Sequence, residues 1–343
     1  MTSRSEIVVV GAGSLGQTFS AALGSNGVPV VLVATGRSTA RLLSAGKLSV
    51  RGMLQFSVPV AETAQSGAVR VSRGEDLTSV RGIIFATKGH DLRSAARALS
   101  GVKSDWVAGI QNGVAKDDLL AEVFGRDRVL GAAGNLAAER QDDGSVLVTN
   151  RGMTYVGELD GVSSERSEGL VADLKAAGIS AQLSPNIRSV EWSKAVIVAG
   201  GFGVGVLTRA VWSESMEDPN LTRAFLSLAR EAAAIAKAEG VQIADFPGSE
   251  ALTYVSQPDE KSIASRAERV RKLRAEGGEL DRRSSIVQDL LSGRRLEADF
   301  IFDDLVRRAR KHGVPAPRLE LVRDLARGID ASKSRSVIET SAP

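Results

Sequence analysis

The first half of the chain alternates short apolar runs with amphipathic stretches. Ile7–Val10 is a run of β-branched residues, and after a Gly-rich turn Leu15, Phe19 and Leu23 share one face of a helical pattern. Further apolar runs lie at 28–33, 83–86, 106–110, 129–130 and 146–149. Apolar strands that alternate with helices are typical of a parallel sheet covered on both faces. The pattern predicts an α/β domain with a doubly wound sheet.

The second half has a different pattern. From about Ser189 the strand signals fade, and an Ala-rich helical segment runs from Leu221 to Glu239. Four further segments have helical patterns, at 262–275, 284–292, 297–312 and 317–328. We place the domain boundary near residue 187. This predicts an α/β domain over 1–187, a helical domain over 188–331, and a flexible polar tail over 332–343.

Composition and charge exclude several classes of function. The 44 Lys and Arg nearly balance the 41 Asp and Glu, which is not the charge of a nucleic-acid-binding protein. There is no Cys and only two His, so thiolate catalysis, disulfides and Cys or His metal centres are excluded. No run approaches the ~18 apolar residues of a membrane span, and no signal peptide is evident. We expect a cytoplasmic protein with no metal, membrane or nucleic-acid partner.

A dinucleotide-binding motif follows the first strand directly. Gly11, Gly13 and Gly16 form G-x-G-x-x-G at the head of a predicted helix. The first Gly permits the tight turn, the second lets the backbone approach a pyrophosphate, and the third allows close helix–strand packing. The helix N-terminus then presents free N–H groups to the phosphates. The residues expected to hold the pyrophosphate are the whole run, Gly11, Ala12, Gly13, Ser14, Leu15 and Gly16.

The charge after the second strand favours NADP over NAD. An NAD site expects an acidic residue about 20 residues beyond the motif, where it binds the ribose 2′-hydroxyl. From Ile7 to Ala61 the chain contains no Asp or Glu, and the second strand is followed by Arg37 and then Arg41. A guanidinium matches the geometry of phosphate oxygens. We therefore predict that Arg37 binds a 2′-phosphate, the alternative being a solvated loop residue.

Elimination of the common proton donors of nicotinamide-dependent dehydrogenases leaves a lysine. The Tyr-x-x-x-Lys pair is absent, because Tyr155 and Tyr254 are followed four residues later by Leu159 and Pro258. An ammonium group can stabilise a developing alkoxide and also donate a proton to it. Lys194, in the apolar segment EWSKAVIVAGG, is the best candidate. Its alternative role is a side chain that snorkels from a helix end.

Five motifs, in order along the chain, resemble the ketopantoate reductase (2-dehydropantoate 2-reductase) family of NADP-dependent enzymes. They are GAGSLG at 11–16, ATKGHD at 86–91, QNG at 111–113, WSKA at 192–195 and SSIVQDLLSGRRLEADFI at 284–301. The resemblance implies that 1–187 form an NADP-binding Rossmann-type domain. It implies that 188–331 form an all-α substrate and dimerisation domain of the 6-phosphogluconate-dehydrogenase kind. It also implies a homodimeric reductase of a small-molecule 2-keto acid in pantothenate biosynthesis.

The resemblance assigns a role to each matching residue. Lys194 would be the catalytic proton donor, and Glu297 would contact the cofactor ribose and order Lys194. Lys88 and Asn112 would contact the cofactor at the ends of consecutive strands, and Ala138 would lie near it. Asn112 and Lys194 would also contact the substrate. Ser285 would bind the substrate carboxylate or hydroxyl, together with Gln288 of the same motif. A plainer role for Glu297 is an exposed acid in the first turn of a helix.

The chain departs from the family at the substrate site. The family has Asn four and eight residues after the catalytic Lys, whereas this chain has Val198 and Phe202, and Trp212 lies near the place of a third Asn. Loss of these amides predicts a bulkier, more apolar substrate than ketopantoate. The Gly-rich run at 200–205 is expected to loosen or break the helix.

Two alternatives to a ketopantoate-type reductase remain open. One is a D-2-hydroxyacid dehydrogenase of mandelate type, and the other is a dinucleotide-sensing protein without turnover. A mixed-charge run at 259–283 is interpreted as a solvated helix, because it lacks the aromatic residues that would stack on nucleic-acid bases.

Overall fold

The computed structural model describes residues 6–277 and 280–340 and divides the chain into two compact units. Unit 1 contains residues up to 111 and residues 116–191, and unit 2 contains residues 112–115 and those from 192 onward. The chain therefore passes between the units at three places, after Gln111, after Ala115 and after Glu191.

Unit 1 is built on one mixed sheet whose strand order is β10-β9-β3-β4-β5-β2-β1-β6-β7-β8. Its buried, β-branched central strands agree with the apolar runs of the sequence. The strands are β1 Ile7–Val10, β2 Val30–Val33, β3 Lys47–Gly52, β4 Phe56–Ala61, β5 Val69–Ser72, β6 Ser79–Phe85, β7 Lys103–Gly109, β8 Val129–Arg140, β9 Val146–Glu158 and β10 Ala181–Leu183.

The prediction of a parallel sheet holds for the central strands and for most other strand pairs, but it is wrong for the pairs β3–β4 and β8–β9. β1 pairs in parallel with β2 and β6, as in a dinucleotide-binding fold. In contrast, β3 pairs antiparallel with β4, and β8 forms a long antiparallel hairpin with β9. β3 and β4 were absent from the predicted strands because they are only half-buried, so they lack a continuous apolar run.

The helices of unit 1 follow the strands as the sequence pattern predicts. In α1, Phe19, Ala22 and Leu23 are buried in the same core cluster as Ile7, Val9 and Leu32 of the sheet. The helices are α1 Ser14–Ser25, α2 Gly36–Ala45, α3 Gly89–Ala98, α4 Ala115–Phe124 and α5 Glu165–Ala176, with a 3₁₀ turn at Arg126–Arg128.

Unit 2 is helical. Its elements are α6 Ile187–Thr208, α7 Trp212–Glu217, α8 Pro219–Ala238, α9 Ala251–Ser256, α10 Asp259–Ala275, α11 Ser285–Leu291, a π-helical turn at Asp299–Asp303, α12 Asp304–His312 and α13 Pro317–Thr340. The first turn of α6 belongs to unit 1, since the chain changes units after Glu191. The fold is thus an α/β Rossmann-type domain followed by an α-helical domain.

Helix α6 is continuous, and the prediction that its glycines would break it is wrong. A Cβ at Gly200 would lie 2.5 Å from the ring of Phe225, and one at Gly203 would lie 2.5 Å from the side chain of Leu228. The glycines therefore let α8 pack closely against α6, and this packing offsets their intrinsic cost of about 1 kcal/mol each. Helix α6 is long and apolar enough to cross a membrane, but 78% of its most apolar stretch is buried within the protein.

Helix α13 extends to Thr340, so it continues into the segment predicted as a flexible tail. The flexibility of that segment stays a prediction, and residues 341–343 lie outside the described residues. The interpretation of the charged run needs correction. The charged run contains α10, which is not uniformly solvated. Arg266 is buried, with its guanidinium 3.8 Å from the ring centroid of Phe225. Burial lowers the pKa of Arg266 to about 10.

Candidate active site

The Gly-rich turn between β1 and α1 leaves one position open to a ligand. Gly11 has a φ of +108°, and a Cβ there would lie 2.9 Å from the backbone nitrogen of Thr87. A Cβ at Gly16 would overlap the carbonyl oxygen of Gly11. The fold itself therefore requires these two glycines. At Gly13 a Cβ would meet no described atom within 4 Å, so the missing side chain there leaves space for a ligand.

The N-terminus of α1 is suited to an anion. Gly13 is its N-cap, no described side chain caps it, and its first turn has no acidic residue. The free N–H groups of this turn, which includes Ser14 and Leu15, carry the positive end of the helix dipole. The carbonyl oxygen of Ala12 accepts a hydrogen bond from Gln17 Nε2 at 2.9 Å, which fixes this part of the turn. The turn fits the pyrophosphate of a dinucleotide.

Three buried polar atoms lie just beyond the ends of β6 and β7, one of them in the first turn of α3. Thr87 Oγ1, His90 Nδ1 and Gln111 Oε1 find no hydrogen-bond partner within the described part of the chain. The Gln111 amide is held in place because its Nε2 donates to the carbonyl oxygens of Phe85 and Thr87, at 3.0 and 3.1 Å. Unpaired buried polar atoms are rare, and here they fit the polar groups of a bound cofactor. Thr87, His90 and Gln111 lie in motifs recognised in the sequence, but the burial that marks them is visible only in the structure.

Lys88 and Ala138 occupy different parts of unit 1. Lys88 is the N-cap of α3 and directly follows Thr87, so it lies at the carboxyl end of the sheet as expected. Ala138 is half-buried near the end of β8, next to a shift in register with β9. The cofactor contacts of both residues stay predictions.

Arginines lie in the segments that follow the paired strands β2 and β5. Arg37 is exposed in the first turn of α2. The guanidinium of Arg73 packs over Gly36, because a Cβ at Gly36 would lie 3.1 Å from Arg73 Nη2. Arg41 Nη2 is buried with no hydrogen-bond partner among the described residues, and burial and the nearby Arg140 lower the pKa of Arg41. The sequence analysis missed Arg73, although it directly follows β5, the strand that pairs with β2.

In unit 2, one face of α6 combines a charged group with apolar and open positions. Lys194, Val198, Gly201 and Gly205 are spaced to share this face. Lys194 is half-buried and Val198 is buried. A Cβ at Gly201 would have no described atom within 4 Å, which leaves the helix surface open there. Phe202 is buried at the edge of the face.

The far end of this face is covered by the start of α11. A Cβ at Gly205 would lie 2.9 Å from Val287 and 3.3 Å from Ser284 Oγ. Ser285, the first residue of α11, is half-buried beside Ser284. The face therefore runs from Lys194, over an apolar floor, to the serines of α11. One hydrogen-bonding group of Gln288 is already occupied, since its Nε2 donates to the carbonyl oxygen of Arg283, just before α11, at 3.2 Å.

The turn that carries Asn112 packs beside the segment that carries Glu297. Gly113 has a φ of +89°, and a Cβ there would lie 3.6 Å from Ile301 and 3.8 Å from Phe300. Both contacted residues belong to the π-helical turn, a form of helix that often marks functional sites. Glu297 is only 6% exposed, so its alternative interpretation as an exposed first-turn acid is wrong. The structure thus brings together two segments that are far apart in sequence.

These features define a class of protein, a dinucleotide-binding α/β domain with a helical domain that presents a lysine. The family model "Ketopantoate reductase PanE/ApbA" matches residues 7–161, and its C-terminal counterpart matches residues 186–330. The chain belongs to the ketopantoate reductase family, an oxidoreductase family that acts on CH–OH groups.

Individual relatives are distant but cover nearly the whole chain. A 2-dehydropantoate 2-reductase of Archaeoglobus fulgidus is 28% identical over 95% of this chain and 98% of its own. The crystal structure of a ketopantoate reductase of Ralstonia eutropha matches with a TM-score of 0.75 at 23% identity, covering 96% and 99% of the two chains. A D-mandelate dehydrogenase, in a complex with NADH and anilino(oxo)acetate, matches with a TM-score of 0.77 at 18% identity over 96% and 99%.

Proposed function

We propose that the protein is an NADPH-dependent reductase of 2-keto acids with apolar side chains. Bound NADPH supplies the hydride that reduces the carbonyl carbon. Lys194 donates the proton to the carbonyl oxygen, so that ketone, hydride and proton together yield the 2-hydroxy acid. Unit 1 binds the cofactor, and the α6 face of unit 2 binds the substrate. The single observation that carries this proposal is the α6 face, where Lys194 lies in line with Val198 and the open surface at Gly201.

The remaining residues have supporting roles in this proposal. Asn112 orients the substrate carbonyl, and the buried Glu297 holds the Lys194 ammonium and the cofactor ribose. Ser285 binds the substrate carboxylate. Lys88, Thr87 and the Gly-rich turn hold the cofactor.

The apolar floor at Val198 and Gly201 also favours a second candidate, a D-2-hydroxyacid dehydrogenase of mandelate type. It uses the same groups in the reverse direction, with Lys194 accepting the hydroxyl proton and a bound oxidised nicotinamide serving as the hydride acceptor. We further propose a cytoplasmic homodimer. Leu321 and Leu325 are exposed one turn apart on α13, where a second subunit could cover them.

We expect turnover of a panel of 2-keto acids to rise with the size and apolarity of the side chain. NADPH oxidation is measured with pyruvate, ketopantoate, 2-ketoisocaproate and phenylglyoxylate. Gly201→Leu should lower kcat/KM for phenylglyoxylate by at least about tenfold and that for pyruvate far less, because the leucine would fill the open surface. Gly169→Leu, at a half-buried position of α5 where an added Cβ has no described neighbour within 4 Å, is the control.

Each result on the panel has a separate meaning. Best turnover on ketopantoate would contradict the apolar substrate and would favour a role in pantothenate biosynthesis. Fast oxidation of D-mandelate, with poor reduction of every ketone, would favour the dehydrogenase. Tight NADPH binding with no turnover on any member would favour a dinucleotide-sensing protein.

Arg37 after β2 and Arg73 after β5 should decide the choice between NADPH and NADH. In the double variant Arg37→Ala/Arg73→Ala we expect the Kd for NADPH to rise by about 10- to 100-fold, since two charge-assisted contacts to the 2′-phosphate are lost. The Kd for NADH should stay within about twofold, because the adenosine ribose then carries no phosphate. Nucleotide fluorescence titration measures both. Equal losses for the two nucleotides would contradict the assignment.

A further inference from the structure

A buried cluster of charged residues lies in unit 1, outside the site described above. Lys116 Nζ donates to Glu191 Oε1 and lies 3.3 Å from Asp117 Oδ1. Glu191 Oε1 also accepts a hydrogen bond from the backbone N–H of Ala132 at 2.9 Å. The Lys116 and Glu191 side chains are only 1% and 4% exposed.

Two glycines make room for this cluster. A Cβ at Gly109, the last residue of β7, would lie 3.3 Å from the aliphatic stem of Lys116. A Cβ at Gly131, in β8, would lie 3.2 Å from Glu191 Oε1 and 2.7 Å from Ile187. Lys116 therefore lies across the end of β7, and Glu191 reaches the backbone of β8 from the first turns of α6.

The cluster is at the points where the chain passes between its units. Lys116 is the first residue of unit 1 after the short segment 112–115, and Glu191 is its last residue before unit 2. Asn112 precedes Lys116 by four residues. Lys194 follows Glu191 by three residues in α6, which places the two on adjacent turns of one side of the helix.

The electrostatics of the cluster favour a geometric role over a stabilising one. Burial and the nearby Asp117 raise the pKa of Glu191 well above its usual range. Burial alone would lower the pKa of Lys116, but Asp117 and Glu191 outweigh it and raise that pKa. Removal of charges from water is energetically costly, so a buried ion pair contributes little net stability. What the pair does provide is a single, directional link between two segments that are 75 residues apart.

We propose that Lys116 and Glu191 are positioning residues, whose buried link holds the Asn112 turn and the Lys194 turn in the geometry that ketone reduction needs. The kinetic part of this inference rests on the proposed function, and the structural part does not. Neither residue touches the substrate or the cofactor in this proposal. Each acts through the short stretch of backbone that connects it to the neighbouring functional residue.

Hydrogen–deuterium exchange tests the structural part without any turnover. In Lys116→Met we expect exchange to be at least about threefold faster in segments 110–118 and 187–196, with the rest of unit 1 unchanged, because local opening follows the loss of local contacts. Glu191→Gln keeps an acceptor for Ala132 and for Lys116, so it should stay close to the wild type. If Lys116→Met does not fold, Lys116→Met/Glu191→Leu takes its place, since it leaves neither member of the pair buried alone.

Kinetics test the functional part. In Lys116→Met the kcat should fall by about 10- to 100-fold, because small errors in the placement of reacting groups slow the reaction strongly. The Kd for NADPH should stay within about twofold, since the pyrophosphate and 2′-phosphate contacts lie elsewhere. The matched control is Arg166→Met, which breaks the paired contacts of Arg166 with Glu158, at 2.8 and 2.7 Å, in the same unit. It should lower Tm without affecting kcat or exchange in either segment.

Folded Lys116→Met with unchanged exchange in both segments would overturn the proposal, as would faster exchange with unchanged kcat. A fall in kcat of the same size in Arg166→Met would show a general effect of lost stability and would overturn it too. Failure of the wild type to reduce any ketone would defeat the proposed function, while the exchange result would still decide whether the pair holds the two segments.

Discussion

Lys194→Ala should lower kcat for 2-keto acid reduction by at least about 10³-fold, because it removes both the proton donor and the positive charge beside the developing alkoxide. The Kd for NADPH should stay within about threefold, since the cofactor's phosphates are bound by backbone groups of unit 1. Stopped-flow turnover and nucleotide titration measure the two quantities. The variant should fold, because Lys194 is only half-buried and its helix is held by apolar residues.

Two further variants sharpen this result. Lys194→Arg keeps the charge but cannot give up a proton near neutral pH, so it should recover substrate binding without recovering kcat. Lys237→Ala, which removes an exposed lysine of α8, is the matched control and should have wild-type activity. If Lys194→Ala retained a substantial part of the wild-type kcat, the proposed mechanism would be wrong.

Alanine substitutions in the Gly-rich turn should affect NADPH binding at Gly13 and the stability of the fold at Gly16. Gly13→Ala should leave Tm unchanged, because the new methyl group meets no described atom within 4 Å. It should nevertheless raise the Kd for NADPH by at least about 100-fold, since the methyl group occupies the space through which backbone N–H groups approach the pyrophosphate. Thermal unfolding and nucleotide titration on the same sample separate the two effects.

Gly16→Ala should instead destabilise the fold. Its Cβ would overlap the carbonyl oxygen of Gly11 and would also lie 3.4 Å from the Cβ of Ala86. Overpacking of this kind costs about 1–3 kcal/mol, which for a domain of this size lowers Tm by several degrees. A stable Gly16→Ala, or a Gly13→Ala variant that binds NADPH normally, would refute the division of roles between the two glycines.

The candidate site shows how far local pattern can predict. Lys194 was found by elimination, because composition leaves few other proton donors, and the Gly-rich turn was found from a spacing whose physical reason is local. Thr87, His90 and Gln111 were not singled out, because a buried atom without a hydrogen-bond partner is a property of the surroundings. Arg73 was missed for a similar reason. It reaches Gly36 only through the pairing of β5 with β2, which local sequence does not specify.

The same distinction holds for the fold. The sequence by itself determined the central parallel strands, the helical second half and the acid-free region after β2, since each depends on the periodicity or charge of neighbouring residues. Tertiary structure alone decided that α6 runs unbroken through its glycines, because the packing of Phe225 and Leu228 outweighs helix propensity. It also decided that Lys116 pairs with Glu191 in the interior. Contacts between residues far apart in the chain leave no local pattern, so only the folded chain reveals them.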